Sequence, residues 1–302
     1  SQDGVGIPGL ESGTDGEYLP DRLTDEAIGF MTDNRDQPFF MYLSHYSVHT
    51  PIRAKAEIVA KYEGKSATDG QGHATYAAMI QSVDEGVGRL VRALEDLGIA
   101  DRTVVIFYAD NGGFGPVTSM APLRGSKGML YEGGIREPLV VRWPGRVAPG
   151  TTNDVPVIGT DLYPTFLEIA GAEAPAGKLL DGESLVPLLR REETETFSDR
   201  PLYWHFPAYL GRDASVVGPW RTTPVSAVRR GDHKLLHFFE DDRWELYDLA
   251  KDVGETNNVV DQEHEIASEL RTLLLDWWVD TDAFIPTELN TEFVSTAGAA
   301  GT

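Results

Sequence analysis

Apolar and polar positions follow three different rhythms along this chain, and each rhythm predicts a different kind of element. From His73 to Leu97 the apolar residues fall at Tyr76, Ile80, Val83, Val87, Leu90, Leu94 and Leu97. Steps of four and three put them on one face of a long helix, which Gly98 closes. Thr103 to Tyr108 is a continuous β-branched and aromatic run, the pattern of a strand buried on both faces of a sheet. Beyond Arg200 the pattern shortens and alternates, predicting four strands at 201–206, 225–230, 233–239 and 244–249. Gly231-Asp232 and Asp241-Asp242 supply the hairpin chemistry between the last three. A helix from Gln262 to Val279, with Ile266, Leu270, Leu273, Leu274 and Trp277 on one side, is placed to cover one face of that sheet.

Shorter signals fill in the rest. Residues 1–20 are rich in Gly, Asp, Glu and Pro and read as a surface loop, after which Thr24 caps a short helix carrying Ala27, Ile28, Phe30 and Met31. Phe39 to Leu43 reads as a second buried strand and Leu139 to Trp143 as a third, ended by Pro144-Gly145. Residues 162–170 have helical spacing and stop at Gly171. Residues 114–137 hold many glycines and charges and few element signals, as functional loops do; Glu132, Arg124 and Arg136 are placed to pair and order that loop. The fold class is α/β with a smaller C-terminal unit. The predicted division is an α/β domain over 1–171, a connector over 172–200, an antiparallel-sheet subdomain over 201–294 and a disordered tail over 295–302.

Charge and composition narrow the partners. Lys plus Arg number 26 against 48 Asp plus Glu, a formal charge of −22, so there is no basic stripe to track a nucleic acid. Lysines number only seven, and the acid-rich, lysine-poor balance suggests a salty or marine setting. The apolar runs are strand-sized, which argues against a membrane span. With no cysteine, disulfides, thiolate metal sites and a cysteine nucleophile are excluded from these 302 residues. The chain starts at Ser1 and its first methionine is Met31, so more chain is expected upstream.

Candidate chemistry clusters after strand ends. Asp110 and Asn111 follow the 103–108 run and offer a carboxylate and an amide carbonyl, both hard oxygen donors; the blander reading is an Asx turn before Gly112-Gly113. Those glycines also let a ligand approach closely. His45 and His49 follow the 39–43 run, either as loop histidines or as functional ones. Lys127, between Ser126 and Gly128, is either a solvent-exposed cation or an anion contact with three donors.

Taken together, VHTP at 48–51, ADNGG at 109–113, LRGSKG at 123–128, YEGGIREP at 131–138, DLYPTFLEIAG at 161–171 and YDLAKDVGETNN at 247–258 resemble the sulfatase family, in family order. The resemblance implies an alkaline-phosphatase-like fold, a large mixed sheet between helices followed by a small domain of four antiparallel strands and one helix. It implies a sulfuric ester hydrolase in which a formylglycine made from a C/S-x-P-S-R motif attacks sulfur while calcium neutralises the sulfate oxygens. By that resemblance Asp110 and Asn111 are calcium ligands, Lys127 contacts the sulfate and the bridging oxygen, and His49 binds the sulfate or protonates the leaving oxygen. His205 is a substrate-contact candidate, with packing between domains as its other explanation. The substrate would be a sulfated carbohydrate or an aryl sulfate, and the location periplasmic or extracellular. The 302 residues contain no C/S-x-P-S-R and no early aspartate pair. The expectation is therefore a C-terminal portion, inactive alone, whose nucleophile and remaining calcium ligands lie in a missing N-terminal segment or chain. The competing expectations are a phosphonate or phosphodiester hydrolase of the same superfamily and a non-catalytic remnant.

Overall fold

The computed structural model describes residues 13, 16–192, 197, 199–216, 218–288 and 290–293. The tail expected to be disordered lies outside them. Contacts divide the chain into two compact units, Ser1–Thr103 and Val104–Thr302.

The first unit is helical. Helix α1 spans Leu19–Asp33 and a short α2 spans Ala56–Val59. Helix α3 spans Ala74–Asp96, its first turn capped by His73, whose Nδ1 accepts from the Tyr76 amide at 3.2 Å. Gly98 takes the left-handed φ of +68° that ends such helices. Two expectations are corrected here. Thr24 does not cap α1: the helix begins five residues earlier, with Pro20 in its first turn, and buried Thr24 donates to the Pro20 carbonyl at 2.8 Å. The packed face of α3 also differs in part from the apolar one: Tyr76 and Leu94 are buried as expected, but small residues share the burial and Ile80 does not. Met79, Ser82 and Gly86 are buried while Ile80 is 50% exposed, because α1 approaches so closely that a Cβ at Gly86 would sit 2.8 Å from Thr24 Oγ1. Small residues win where helix backbones come together.

Phe39–Leu43, expected as a buried strand, forms none. Its side chains alternate, Phe39, Met41 and Leu43 half-buried and Phe40 and Tyr42 exposed, but no described residue supplies the ladder a strand requires.

The second unit opens with β1, Val105–Tyr108, paired antiparallel with β2, Leu139–Arg142, from Val105↔Arg142 to Tyr108↔Leu139. Burial of β1 on both faces is corrected as well: Phe107 and Tyr108 are about two-fifths exposed, since β2 is its only described neighbour. Between these strands runs the 109–138 segment, carrying the short helix α4, Glu132–Ile135. Helix α5, Leu162–Ala170, ends at Gly171 with φ +64°, and α6 covers Val186–Leu189. The connector is tied back by Asp161, fully buried, which receives both Arg200 Nη atoms at 2.7 Å and the Ile158 and Glu183 amides at 2.9 Å.

The four-stranded sheet is the core of this unit. Its order is β3 (Leu202–Phe206), β6 (Val225–Arg230), β7 (His233–Phe238), β8 (Arg243–Asp248), all antiparallel. A separate two-residue strand β4, Leu210–Gly211, pairs with β5, Trp220–Thr222. The strand period of two sorts the sheet's side chains onto two covered faces. Val228, Leu235 and Leu246 pack under helix α7, His264–Asp280, against Ala267, Leu270 and Leu274. Val225, Ala227, Leu236, Phe238 and Tyr247 face the other way, onto Leu130 and Tyr131 of the 109–138 segment.

That second contact is fixed by buried charge. Lys234 on β7 is fully buried, with its ammonium 3.0 Å from Glu132 Oε1 and 2.9 Å from Glu255 Oε1. Glu255 also accepts from the Glu132 amide at 2.7 Å, and Arg229 lies 3.4 Å from Glu132. Arg136 pairs with Glu132 at 3.6 Å, as expected. Arg124 does not; it lies 3.9 Å over the Tyr131 ring and donates to Tyr247 Oη and the Glu255 carbonyl, both at 2.9 Å. Removing one member of such a cluster strands the others without water, which costs about 3–5 kcal/mol. Lys234→Met is therefore expected to lower the unfolding free energy by about that amount in a urea titration. A loss below about 1 kcal/mol, the usual range for surface pairs, would contradict it.

Candidate active site

The 109–138 segment is held against its own backbone before any ligand enters. Gly112 donates to the Gly134 carbonyl at 3.1 Å, Gly133 to the Arg124 carbonyl at 2.7 Å and Lys127 to the Gly113 carbonyl at 3.0 Å. A Cβ at Gly112 would fall 2.1 Å from the Gly133 carbonyl oxygen, and one at Gly134 2.0 Å from that of Met129. These glycines serve a close backbone crossing, where the sequence had suggested room for a ligand. The crossing brings Asp110 and Asn111, at the end of β1, onto the same cavity as Lys127.

The cavity has a volume of about 410 Å3. Asp110, Asn111, Lys127 and Arg221 are its polar members, and Trp204, Phe206, Leu210, Val157 and Ile158 contribute apolar wall. All of its lining belongs to the second unit. Lys127 is half-buried and, among the described residues, its ammonium has no acidic partner. Asp110 is exposed, and among the described residues no hydrogen bond engages its carboxylate. Asn111 donates its amide to the Gly112 carbonyl at 3.2 Å, leaving its carbonyl oxygen as an acceptor. An ionised carboxylate beside an amide oxygen is a donor set for a hard divalent cation.

Acidic neighbours the sequence reading missed surround this end of β1. Burial, and then the Asp110 charge, push the Glu137 carboxyl up to about 7, and its Oε1 is buried without a partner. Burial also raises the Tyr108 hydroxyl, with Glu137, Asp161 and Asp110 adding to the effect. Glu137 lies within the YEGGIREP motif, but its neighbourhood arises only when β2 pairs with β1.

The histidines are placed elsewhere. His49 is an exposed residue of the first unit, its Nδ1 3.0 Å from the Thr50 carbonyl oxygen and 3.2 Å from Thr50 Oγ1. His45 accepts from the Ser47 amide at 3.2 Å, and burial lowers its pKa. His205, a candidate substrate contact or a packed histidine, has Nδ1 2.6 Å from Ser226 Oγ and Nε2 2.8 Å from the Phe284 carbonyl oxygen. It alternates with Trp204 and Phe206 along β3, so the period that aims those two at the cavity turns His205 toward Trp277. A second polar cluster, His233, Asp248 and Glu263, has its own partners: His233 pairs with Glu263 at 3.2 Å, and Asp248 with Lys251 outside the cluster at 2.5 Å.

Known proteins share this architecture. A family model described as Sulfatase matches residues 3–172, and one described as N-sulphoglucosamine sulphohydrolase, C-terminal, matches residues 126–278. A sulfatase of Formosa agariphila is 37% identical over 91% of this chain and 53% of its own length. An N-acetylglucosamine-6-O-sulfatase of Bacteroides thetaiotaomicron is 33% identical over 69% of this chain and 34% of its own length. The crystal structure of Ps i-CgsB in complex with k-i-k-neocarrahexaose matches with a TM-score of 0.75 at 30% identity, covering 95% of this chain and 59% of that one. The chain thus spans about half the length of the first of these relatives.

Because Glu137 is raised from 4.5 to about 7 on folding, its contribution to stability is complete below pH 4.5 and is lost as pH rises through 7. The expected outcome is an unfolding midpoint that falls across that window in the native protein and not in Glu137→Gln. Asp110→Asn should shift the titration of Glu137, followed by carboxyl NMR, toward lower pH. A Glu137 midpoint near 4.5 in the native protein would contradict the assignment.

Proposed function

The chain belongs to the sulfatase family, and on that premise we propose that the protein carrying it hydrolyses a sulfate ester, with Lys127, Asp110 and Asn111 forming this chain's part of the active site. The observation that carries the proposal is the meeting, in one cavity, of an ammonium without an acidic partner and two uncommitted oxygen donors.

Lys127 would donate to a sulfate oxygen and to the bridging oxygen, stabilising the charge that develops there as the S–O bond breaks. Its position between the Lys127–Gly113 backbone bond and positive-φ Gly128 limits how far that ammonium swings. Asp110 and Asn111 would hold a hard divalent cation, which their oxygen donors suit, and the family resemblance makes that cation calcium. Such a cation supplies positive charge to the sulfate oxygens. The family resemblance gives His49 a part in binding the sulfate or in protonating the leaving oxygen. The attacking group is not among these 302 residues.

Trp204, Phe206 and the aliphatic wall favour a substrate with an apolar ring face. A sulfated carbohydrate is the proposed class, supported by the relative named for N-acetylglucosamine 6-O-sulfate. Phosphonate or phosphodiester hydrolysis draws no such support, since both family models and both sequence relatives carry sulfatase or sulphohydrolase names. No helix among the described residues is long and apolar enough to cross a membrane. A periplasmic or extracellular location is proposed on family habit.

The test is hydrolysis of sulfated monosaccharides, an aryl sulfate and an aryl phosphonate by the protein that carries this chain in full. Sulfate esters should be the preferred substrates, and Lys127→Ala should lower kcat about 10²–10³-fold, the usual effect of removing one charge-stabilising donor. Preferred turnover of the phosphonate, or an indifferent Lys127→Ala, would contradict the proposal.

A further inference from the structure

We propose that Asp213 is a positioning residue of the active site: it holds the β4–β5 hairpin seated on the two backbone stretches that carry Lys127, and so fixes where that ammonium stands. The inference rests on the sulfatase reading of the cavity and adds a residue outside the cavity lining on which catalysis there depends.

Lys127 belongs to a crossing of two stretches of backbone, 113–115 and 126–128, joined where its amide donates to the Gly113 carbonyl at 3.0 Å. The hairpin reaches both. Ser215, in the turn between β4 and β5, lies on the first stretch: a Cβ at Gly115 would fall 2.5 Å from the Ser215 Cβ. Leu210 of β4 and Arg221 of β5 lie on the second: a Cβ at Gly128 would fall 2.5 Å from Leu210 Cδ1 and 3.4 Å from Arg221 Nε. Gly115 and Gly128 therefore mark places where the hairpin comes closer than a side chain allows. The second of them is the residue after Lys127. The Glu132–Lys234 pair anchors the same segment farther along, at α4, whereas the hairpin meets it beside Lys127.

The hairpin has little regular structure with which to hold that shape. Its strands pair only at Leu210↔Thr222 and Gly211↔Trp220, with a register shift between them. Asp213 supplies the rest. Its carboxylate accepts from the Ser215 amide at 2.9 Å, from the Ser215 hydroxyl, and from Arg221 Nη1 at 2.9 Å. It thereby ties the residue seated on Gly115 to a residue seated on Gly128. Burial works to raise the Asp213 carboxyl, but the bonds from Ser215 and Arg221 hold it below its ordinary value, so it stays an ionised acceptor. Both side chains are mostly buried, 14% and 16% exposed, and a charge-assisted bond in such a place fixes geometry. The pair also meets the charge of Arg221, which leaves Lys127 as the cation of this cavity without an acidic partner among the described residues. Asp213 itself does not line the cavity. The competing role for Asp213 is a strut that shapes the hairpin and leaves Lys127 untouched.

The test uses the protein that carries this chain in full, native and as Asp213→Ala and Asp213→Asn. Each is followed by hydrogen exchange over the peptide spanning 126–129 and by hydrolysis of 4-nitrophenyl sulfate and galactose 6-sulfate. Asp213→Ala is expected to speed exchange of that peptide about tenfold or more, and to lower kcat about tenfold to a hundredfold with KM changed less than about twofold and the melting temperature held. Asp213→Asn keeps an oxygen for the Ser215 amide and for Arg221, and should restore most of both. Exchange at 126–129 that ignores Asp213→Ala overturns the inference, as does an unchanged kcat or a loss of kcat that tracks a falling melting temperature. Should Asp213→Ala fail to fold, Ser215→Ala decides: it removes the hydroxyl bond to Asp213 and keeps the seat on Gly115, and it should move exchange and kcat in the same direction by less. An indifferent Ser215→Ala then overturns the inference. The underlying reading is judged separately. If the native protein hydrolyses neither ester, or Lys127→Ala is indifferent, the sulfatase reading fails, while the exchange result still decides whether Asp213 holds the Lys127 backbone.

Discussion

The second unit depends on a lysine that has no water. Lys234 lies inside the sheet, and among the described residues the groups that compensate its charge are Glu132 and Glu255, both buried with it. An unpaired ammonium in that position would cost several kcal/mol, so the 132–135 turn cannot leave the sheet face while the sheet stays folded. A buried ion pair contributes little net stability compared with an apolar replacement, but it is unforgiving about position. Here the position it fixes is that of a segment with almost no regular structure of its own.

From that point the constraint travels along the backbone to the cavity. Glu132 fixes α4; Gly133 and Gly134 of α4 bond the Arg124 and Gly112 backbones; Gly112 follows Asp110-Asn111, and Lys127 bonds Gly113. At Gly112, Gly133 and Gly134 the backbones cross too tightly for a side chain, so the geometry has little slack. Catalytic groups on a loop need support of this kind, since a loop by itself does not hold an ammonium and two oxygen donors in register. The same sheet turns Trp204 and Phe206 toward the cavity and Tyr203 and His205 under α7, so one strand serves site and core by its period alone.

Much of this was legible in the sequence where a pattern is local. The four strands beyond Arg200, their hairpins and the final helix stand where the alternation and the turn residues put them, and Asp242 and Gly231 have the left-handed φ those turns require. The Asp110-Asn111 candidate was also visible because it follows a strand end, and Lys127 because it stands between Ser126 and Gly128 in a long loop. What failed was reading apolar character as burial. The 103–108 run is half exposed, 39–43 forms no ladder, and Ile80 of α3 is half exposed while Ser82 and Gly86 are buried. Charged residues failed the other way. Glu132, Lys234 and Glu255 look like surface residues in one dimension, and only their partners, more than a hundred residues apart in sequence, make their burial possible. Arg221 was hidden for the same reason, since its meaning comes from Asp213 and Gly128.

The most direct measurement is a crystal structure of the chain grown with calcium and soaked in galactose 6-sulfate. The predicted result is a sulfate oxygen within hydrogen-bond distance of Lys127 Nζ and a cation on the Asp110 carboxylate and the Asn111 carbonyl oxygen, with the Glu132–Lys234–Glu255 cluster unmoved. A sulfate seated outside this cavity, or a Lys127 side chain turned away from a bound one, would contradict the claim that this segment is built to hold the reacting group.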